Sequence, residues 1–116
     1  VSDYRKLAVY NKALDFVQEV YRISKKFPQD EQFVLTSQIK RSVTSICLNI
    51  AEGAGRSSKK EFVQFLRISL GSSLETSSIL DIAKRLFFVT EEEYNKLLEA
   101  SSEISKMLNG LIKSVK

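Results

Sequence analysis

A chain of 116 residues, 43% hydrophobic and 28% charged, has the length and composition of one globular domain, with core enough to fold without metal or disulfide. Four glycines and one proline leave few turns, which favours long helices over many short strands. A net charge of +4 permits a polyanionic partner without demanding one, and the absence of histidine removes the commonest general base and metal ligand.

The first run, about 4–26, carries two adjacent apolar stripes. One is Leu7, Tyr10, Leu14, Val17, Tyr21 and Ser24; the other is Val9, Ala13, Phe16, Val20, Ile23 and Phe27. Both step by three and four, so the period is helical, and together they are wider than one partner helix needs. Pro28 ends the run. The second run, about 29–54, opens on Asp30 and Glu31, which suit the positive end of a helix dipole. Its stripe is Phe33 or Leu35, then Ile39, Val43, Ile46 and Ile50, and Gly53 and Gly55 are expected to stop it through the left-handed geometry glycine allows. Cys47 sits inside this apolar run and reads as a small buried thiol; a lone cysteine fits a reducing, cytoplasmic setting.

Ser58 to Glu61, "SKKE", has the form of a capping box and opens a third helix, about 59–87, with Phe62, Leu66, Ser69, Ser73, Thr76, Leu80 and Ala83 on one side. Small residues at 69, 72 and 73 would let a neighbour approach closely. Thr90 to Glu93, "TEEE", is a second capping box. It opens a fourth helix, about 91–115, with Tyr94, Leu97, Ser101, Ile104, Leu108, Leu111 and Val115 in line. Short connections predict antiparallel neighbours, so the expected fold is all-α: one domain over 1–116, an up-down-up-down four-helix bundle. No apolar run approaches the ~20 residues of a membrane span, and the first residues lack an uninterrupted apolar signal core.

No catalytic constellation is present, and no enzyme activity, cofactor or metal is expected. One cysteine cannot build a thiolate zinc site. "GAG" at 53–55 follows no strand and lacks the Walker spacing. Glu52 and Glu75 can be drawn as a carboxylate pair, but no Glu-x-x-His supports a di-iron site. Charge is uneven along the chain: residues 1–29 carry six basic against three acidic residues, 58–89 five against three, and 90–116 four against five. Two readings stand for "NIAEGAGRSSKKEF", residues 49–62: a bare turn between helices, or an anion site where a helix N-terminus meets Arg56, Lys59 and Lys60. Antiparallel pairing about residue 57 brings Glu75 towards Arg41, so either an Arg41–Glu75 ion pair sets the register or Arg41 faces a partner or an RNA phosphate.

"FPQDEQFVLTSQIKRSVTSICLNIAEGAGR" and "EFVQFLRISLGSSLE", within a match covering nearly the whole chain, resemble the bacterial four-helix bundle family associated with the intervening sequence of 23S, the large-subunit, ribosomal RNA. The chain is also similar to the accessory variability proteins of diversity-generating retroelements. The resemblance implies a bundle that assembles into a ring, typically a homopentamer, and offers no catalytic residues. It is compatible with RNA or other nucleic-acid binding, or with docking a partner protein such as a reverse transcriptase. The expected nucleic-acid contacts are Arg56, Lys59, Lys60 and Arg67, with Lys25 and Lys26 as secondary candidates.

Overall fold

The computed structural model describes residues 3–116, and the described residues form four α-helices and no strand: α1 (Ala8–Ser24), α2 (Leu35–Ala54), α3 (Lys59–Arg85) and α4 (Glu91–Val115). Two starts differ from the sequence expectation. Residues Tyr4–Lys6 form a separate 3-10 turn, because Asp3 Oδ1 accepts the Arg5 N–H at 3.0 Å and Leu7 is extended before α1 begins. Residues Gln29–Glu31 likewise form a 3-10 turn, and Val34 breaks the path at φ −120°, ψ −96°. The Glu31 carboxylate then accepts the Leu35 N–H at 3.3 Å, supplying α2 with a partner for an otherwise orphaned donor.

Each helix packs on two neighbours: α1 on α2 and α4, α3 on α2 and α4. The diagonal pairs do not approach within 8 Å between Cα atoms. Polar side chains record the registers. Between α2 and α3, Ser42 meets Thr76 at 2.8 Å, Ser45 meets Ser72 at 2.8 Å, and the Ser69 hydroxyl donates to Ile46 O at 2.8 Å. Between α3 and α4, Ser73 meets Ser101 at 3.0 Å and Ser105 at 3.2 Å, and Ser77 meets Ser101 at 2.6 Å. Lys12–Glu103 at 3.1 Å and Lys26–Glu93 tie α1 to α4. In each of these pairs the residue number rises along one helix as it falls along the other.

The core is the expected one in α2 and α3: Ile39, Val43, Ile46 and Ile50 and the whole Phe62-to-Ala83 stripe are buried. In α4 Leu97, Ser101, Ile104 and Leu108 are buried as expected, whereas Tyr94, Leu111 and Val115 are half-buried and Ile112 takes the last place inside. In α1 the two stripes part. Val9, Ala13, Phe16, Val20, Ile23 and Phe27 go inside, whereas Leu14 stays 43% exposed and Tyr21 37%. At the head of α2 it is Leu35 that is buried, with Phe33 outside. The small residues of α3 admit close neighbours as expected, and their hydroxyls are all engaged: no buried side-chain N or O atom among the described residues lacks a partner. An unsatisfied buried hydroxyl costs about 1–3 kcal/mol, so any slip of α2 or α4 along α3 would be penalised at several positions at once.

Candidate nucleic-acid interface

The stretch 49–62 resolves into a helix end, a tight turn and a capped start. Asn49 stays helical, donating to Ser45 O at 2.8 Å. The glycines do not act as expected, because no glycine among the described residues has a positive φ. Gly53 lies inside α2 and serves close approach instead: a Cβ there would sit 2.6 Å from the Phe65 Cβ and 3.0 Å from the Phe62 Cδ1. Gly55 caps α2 with ordinary right-handed geometry, its N–H donating to Ala51 O and Glu52 O. Ser58 caps α3 by accepting the Glu61 N–H at 3.1 Å. The reciprocal half of the box is replaced, since the Ser58 hydroxyl itself donates to the Glu61 carboxylate at 3.1 Å. The second box is complete: Thr90 accepts the Glu93 N–H at 3.1 Å and Glu93 accepts the Thr90 N–H at 2.9 Å.

The capped start of α3 gathers positive charge. Lys59, Lys60 and Arg67 line one open groove of about 420 Å³, floored by Val63 and Val115 and closed by Gln64 and Lys116. These four cations take part in no ion pair within 4.0 Å among the described residues. Arg56, the fourth expected contact, is set apart from them. Its guanidinium lies 3.7 Å from the Glu52 carboxylate, one helical turn back, and 4.8 Å over the Phe65 ring, so it does not line the groove. Of the secondary candidates, Lys26 is held by Glu93, and Lys25 lies with it at the far end of the bundle.

The fold also sorts charge along its axis. Lys12 pairs with Glu103, Ser45 bonds Ser72 and Ser73 bonds Ser105, so these residues share one level. From it to one end, residues 3–12, 45–72 and 103–116 carry ten basic against four acidic residues, a net of +6. Beyond it, residues 13–44 and 73–102 carry eight against ten, a net of −2. A modest total thus conceals a strongly basic end, and the groove lies in it. Lys113 and Lys116 went unpredicted as members of that end because only the return of α4 brings them there.

Arg41 and Glu75 line a second, polar cleft of about 720 Å³ with Ser37, Gln38, Ser42, Ser45, Phe33 and Val34. The expected ion pair is not closed: the two do not come within 4.0 Å. The seam between α2 and α3 is held by the Ser42–Thr76 and Ser45–Ser72 hydroxyls, which leaves Arg41 and Glu75 one step outside it, both exposed to water. Burial pushes the Cys47 thiol up to about 11, which keeps it protonated and unreactive at neutral pH. No helix among the described residues is long and apolar enough to cross a membrane.

Comparison with known proteins places this geometry in a family. A crystal structure of a protein of unknown function from the S23 ribosomal protein family of Bacteroides thetaiotaomicron superposes with a TM-score of 0.85, at 34% identity over 91% of this chain and 99% of that one. No curated protein matches. The family model described as 23S rRNA-intervening sequence protein matches residues 5–110. A match over nearly the whole bundle, from the first 3-10 turn to the last turns of α4, leaves one conclusion: the chain belongs to the 23S rRNA-intervening sequence protein family.

Proposed function

We propose that this protein is a non-enzymatic, cytoplasmic RNA-binding bundle of up-down-up-down course that works as an assembly of copies. The observation that carries the reading is the groove at the start of α3: Lys59, Lys60 and Arg67, three of the four cations expected from sequence, converge there without acidic partners in the basic half of the molecule. Such a surface meets phosphates through charge, with weak sequence preference and a steep dependence on salt. Assembly is supported by apolar side chains the bundle leaves uncovered on three helices, among them Leu14, Leu48 (67% exposed), Ile68 and Leu74. A ring, as the family resemblance implies, would pool the basic ends on one side; a homopentamer of +4 protomers carries +20 in all.

The test is a titration of a fluorescent structured RNA with wild-type protein and with the K59E/K60E double variant, from 50 to 400 mM KCl. Glutamates at the first turn of a helix favour its dipole, so the variant is expected to fold. The reading predicts at least a tenfold weaker affinity at low salt. It also predicts a log–log salt slope shallower by roughly 1–2, from the loss of about two phosphate contacts. Equal affinity and equal slope for both proteins would reject the groove as the contact surface.

A further inference from the structure

The end of α3 opposite the groove holds an unexplained aromatic residue. The Phe88 N–H donates to Ala83 O at 2.8 Å and the Phe87 N–H to Lys84 O at 3.0 Å, the two bonds of a Schellman ending. That ending needs a left-handed residue between them, usually glycine. Here it is Phe87, at φ 63°, the one non-glycine residue with positive φ among the described residues. A bulky side chain is an outlier in that region. Packing could offset the strain, yet Phe87 is 91% exposed, while Phe88 turns inward onto Phe27 with ring centroids 5.7 Å apart. The protomer therefore holds a phenyl ring outward and recovers little from it internally. Asp81, Lys84, Arg85 and Tyr94 share the cleft beside the ring, and Lys84 is paired with Glu91 at 3.2 Å. The half of the molecule that carries the ring is the acidic one.

A receptor for such a group exists on the same molecule. The groove at the α3 N-terminus has an apolar floor, Val63 and Val115, a cationic rim, Lys59, Lys60, Arg67 and Lys116, and about 420 Å³ of room. We propose that Phe87 of one copy seats in this groove of the next, with Glu91 and Glu92 facing its lysines. Cations at the rim favour an aromatic face, and the two ends of the molecule have opposite net charge. The 27 residues of α3 separate ring and groove by roughly 40 Å, so no protomer can make the contact with itself. The contact is head-to-tail, joining different surfaces of the two copies. It is distinct from the lateral packing of a ring and stacks protomers or rings end to end. It also fills the groove assigned to RNA, so RNA and stacking exclude one another.

The experiment is sedimentation velocity in 50 mM salt on four samples: wild type, F87A, K59E/K60E, and a 1:1 mixture of the two variants. The wild type should gain mass with concentration, and each variant alone should stop at the same smaller unit. The mixture should gain mass beyond that unit, because F87A keeps the groove and K59E/K60E keeps the ring. Structured RNA should reverse the growth of the wild type, and F87A should bind that RNA as the wild type does. In addition, F87G should melt about 4 °C higher than wild type through relief of the left-handed strain, while failing to stack. Wild-type-like growth of F87A, or a mixture that does not associate, would overturn the proposal without touching RNA binding. RNA affinity lost in F87A with growth unchanged would also overturn it, assigning Phe87 to a base instead. RNA affinity unchanged in K59E/K60E, with pairing in the mixture, would leave stacking standing and remove the RNA reading.

Discussion

Gly53 and Gly71 are both helical glycines, and their surroundings give them opposite consequences. A methyl at Gly53 meets the Phe65 Cβ at 2.6 Å, an atom fixed to the α3 backbone, whereas a methyl at Gly71 meets nothing within 4 Å. Gly53→Ala should therefore cost about 2 kcal/mol, the overpacking penalty less the gain in helix propensity. Gly71→Ala should stabilise by up to about 1 kcal/mol. Urea unfolding of the two variants checks both signs; equal shifts would mean that α2 and α3 do not approach as closely as described. Cys47 gives a pH dependence. Burial lifts its thiol from the ordinary 9.0 to about 11. The unfolded chain loses this proton near pH 9, the folded chain only near 11. Between those values the unfolded state binds fewer protons, and stability falls as pH rises. The fall attributable to Cys47 is about 2 kcal/mol. It is read as the difference between wild type and Cys47→Ala in unfolding at pH 8 and at pH 10.5.

Among the elements, α4 depends most on its start. Three glutamates follow Thr90, the capping box is closed in both directions, and Lys26 reaches across from the end of α1 to Glu93. The Lys26 and Thr90 hydrogen bonds hold the Glu93 carboxyl below its ordinary range. Its contribution is present at neutral pH and is lost as pH falls through the carboxylate range. Thr90→Ala should cost about 1 kcal/mol, and hydrogen exchange should quicken first at residues 91–94. Unchanged protection there would show that packing alone sets the start of α4. Both caps were legible in sequence because a box needs only a hydroxyl and a carboxylate three residues apart. The end of α3 was not, since its left-handed residue is a phenylalanine where sequence reading looks for glycine. Gly53 misled in the opposite sense: it resembles a stop and is a contact point, which only the facing Phe62 and Phe65 reveal. That Lys59, Lys60 and Arg67 lie together was legible because they share the first turns of one helix. Arg56 was not separable from them, because the choice between the groove and Glu52 is made by side-chain direction just past the end of α2.

At the scale of the molecule, the packing of the four helices turns a scattered sequence charge into a basic end and an acidic end, +6 against −2. Counting charge along the chain hid this, because neighbours in space come from four separate segments. The second stripe of α1 is only partly uncovered, because α1 has two neighbours: Leu7, Tyr10 and Val17 pack against the core, and Leu14 and Tyr21 remain outside. Which stripe turns inward was not legible, because sequence periodicity does not say which one wins the core. These two features, apolar side chains left outside and a concentrated charge, support the proposed reading, in which copies gather through their flanks and meet RNA with their pooled basic ends. Light scattering of the purified protein across a salt series, with and without RNA from its host, measures both together. The account predicts particles heavier than the 13.2 kDa chain that take up RNA at low salt and release it as salt rises. A particle of 13.2 kDa whose mass RNA does not change at any salt concentration would contradict it.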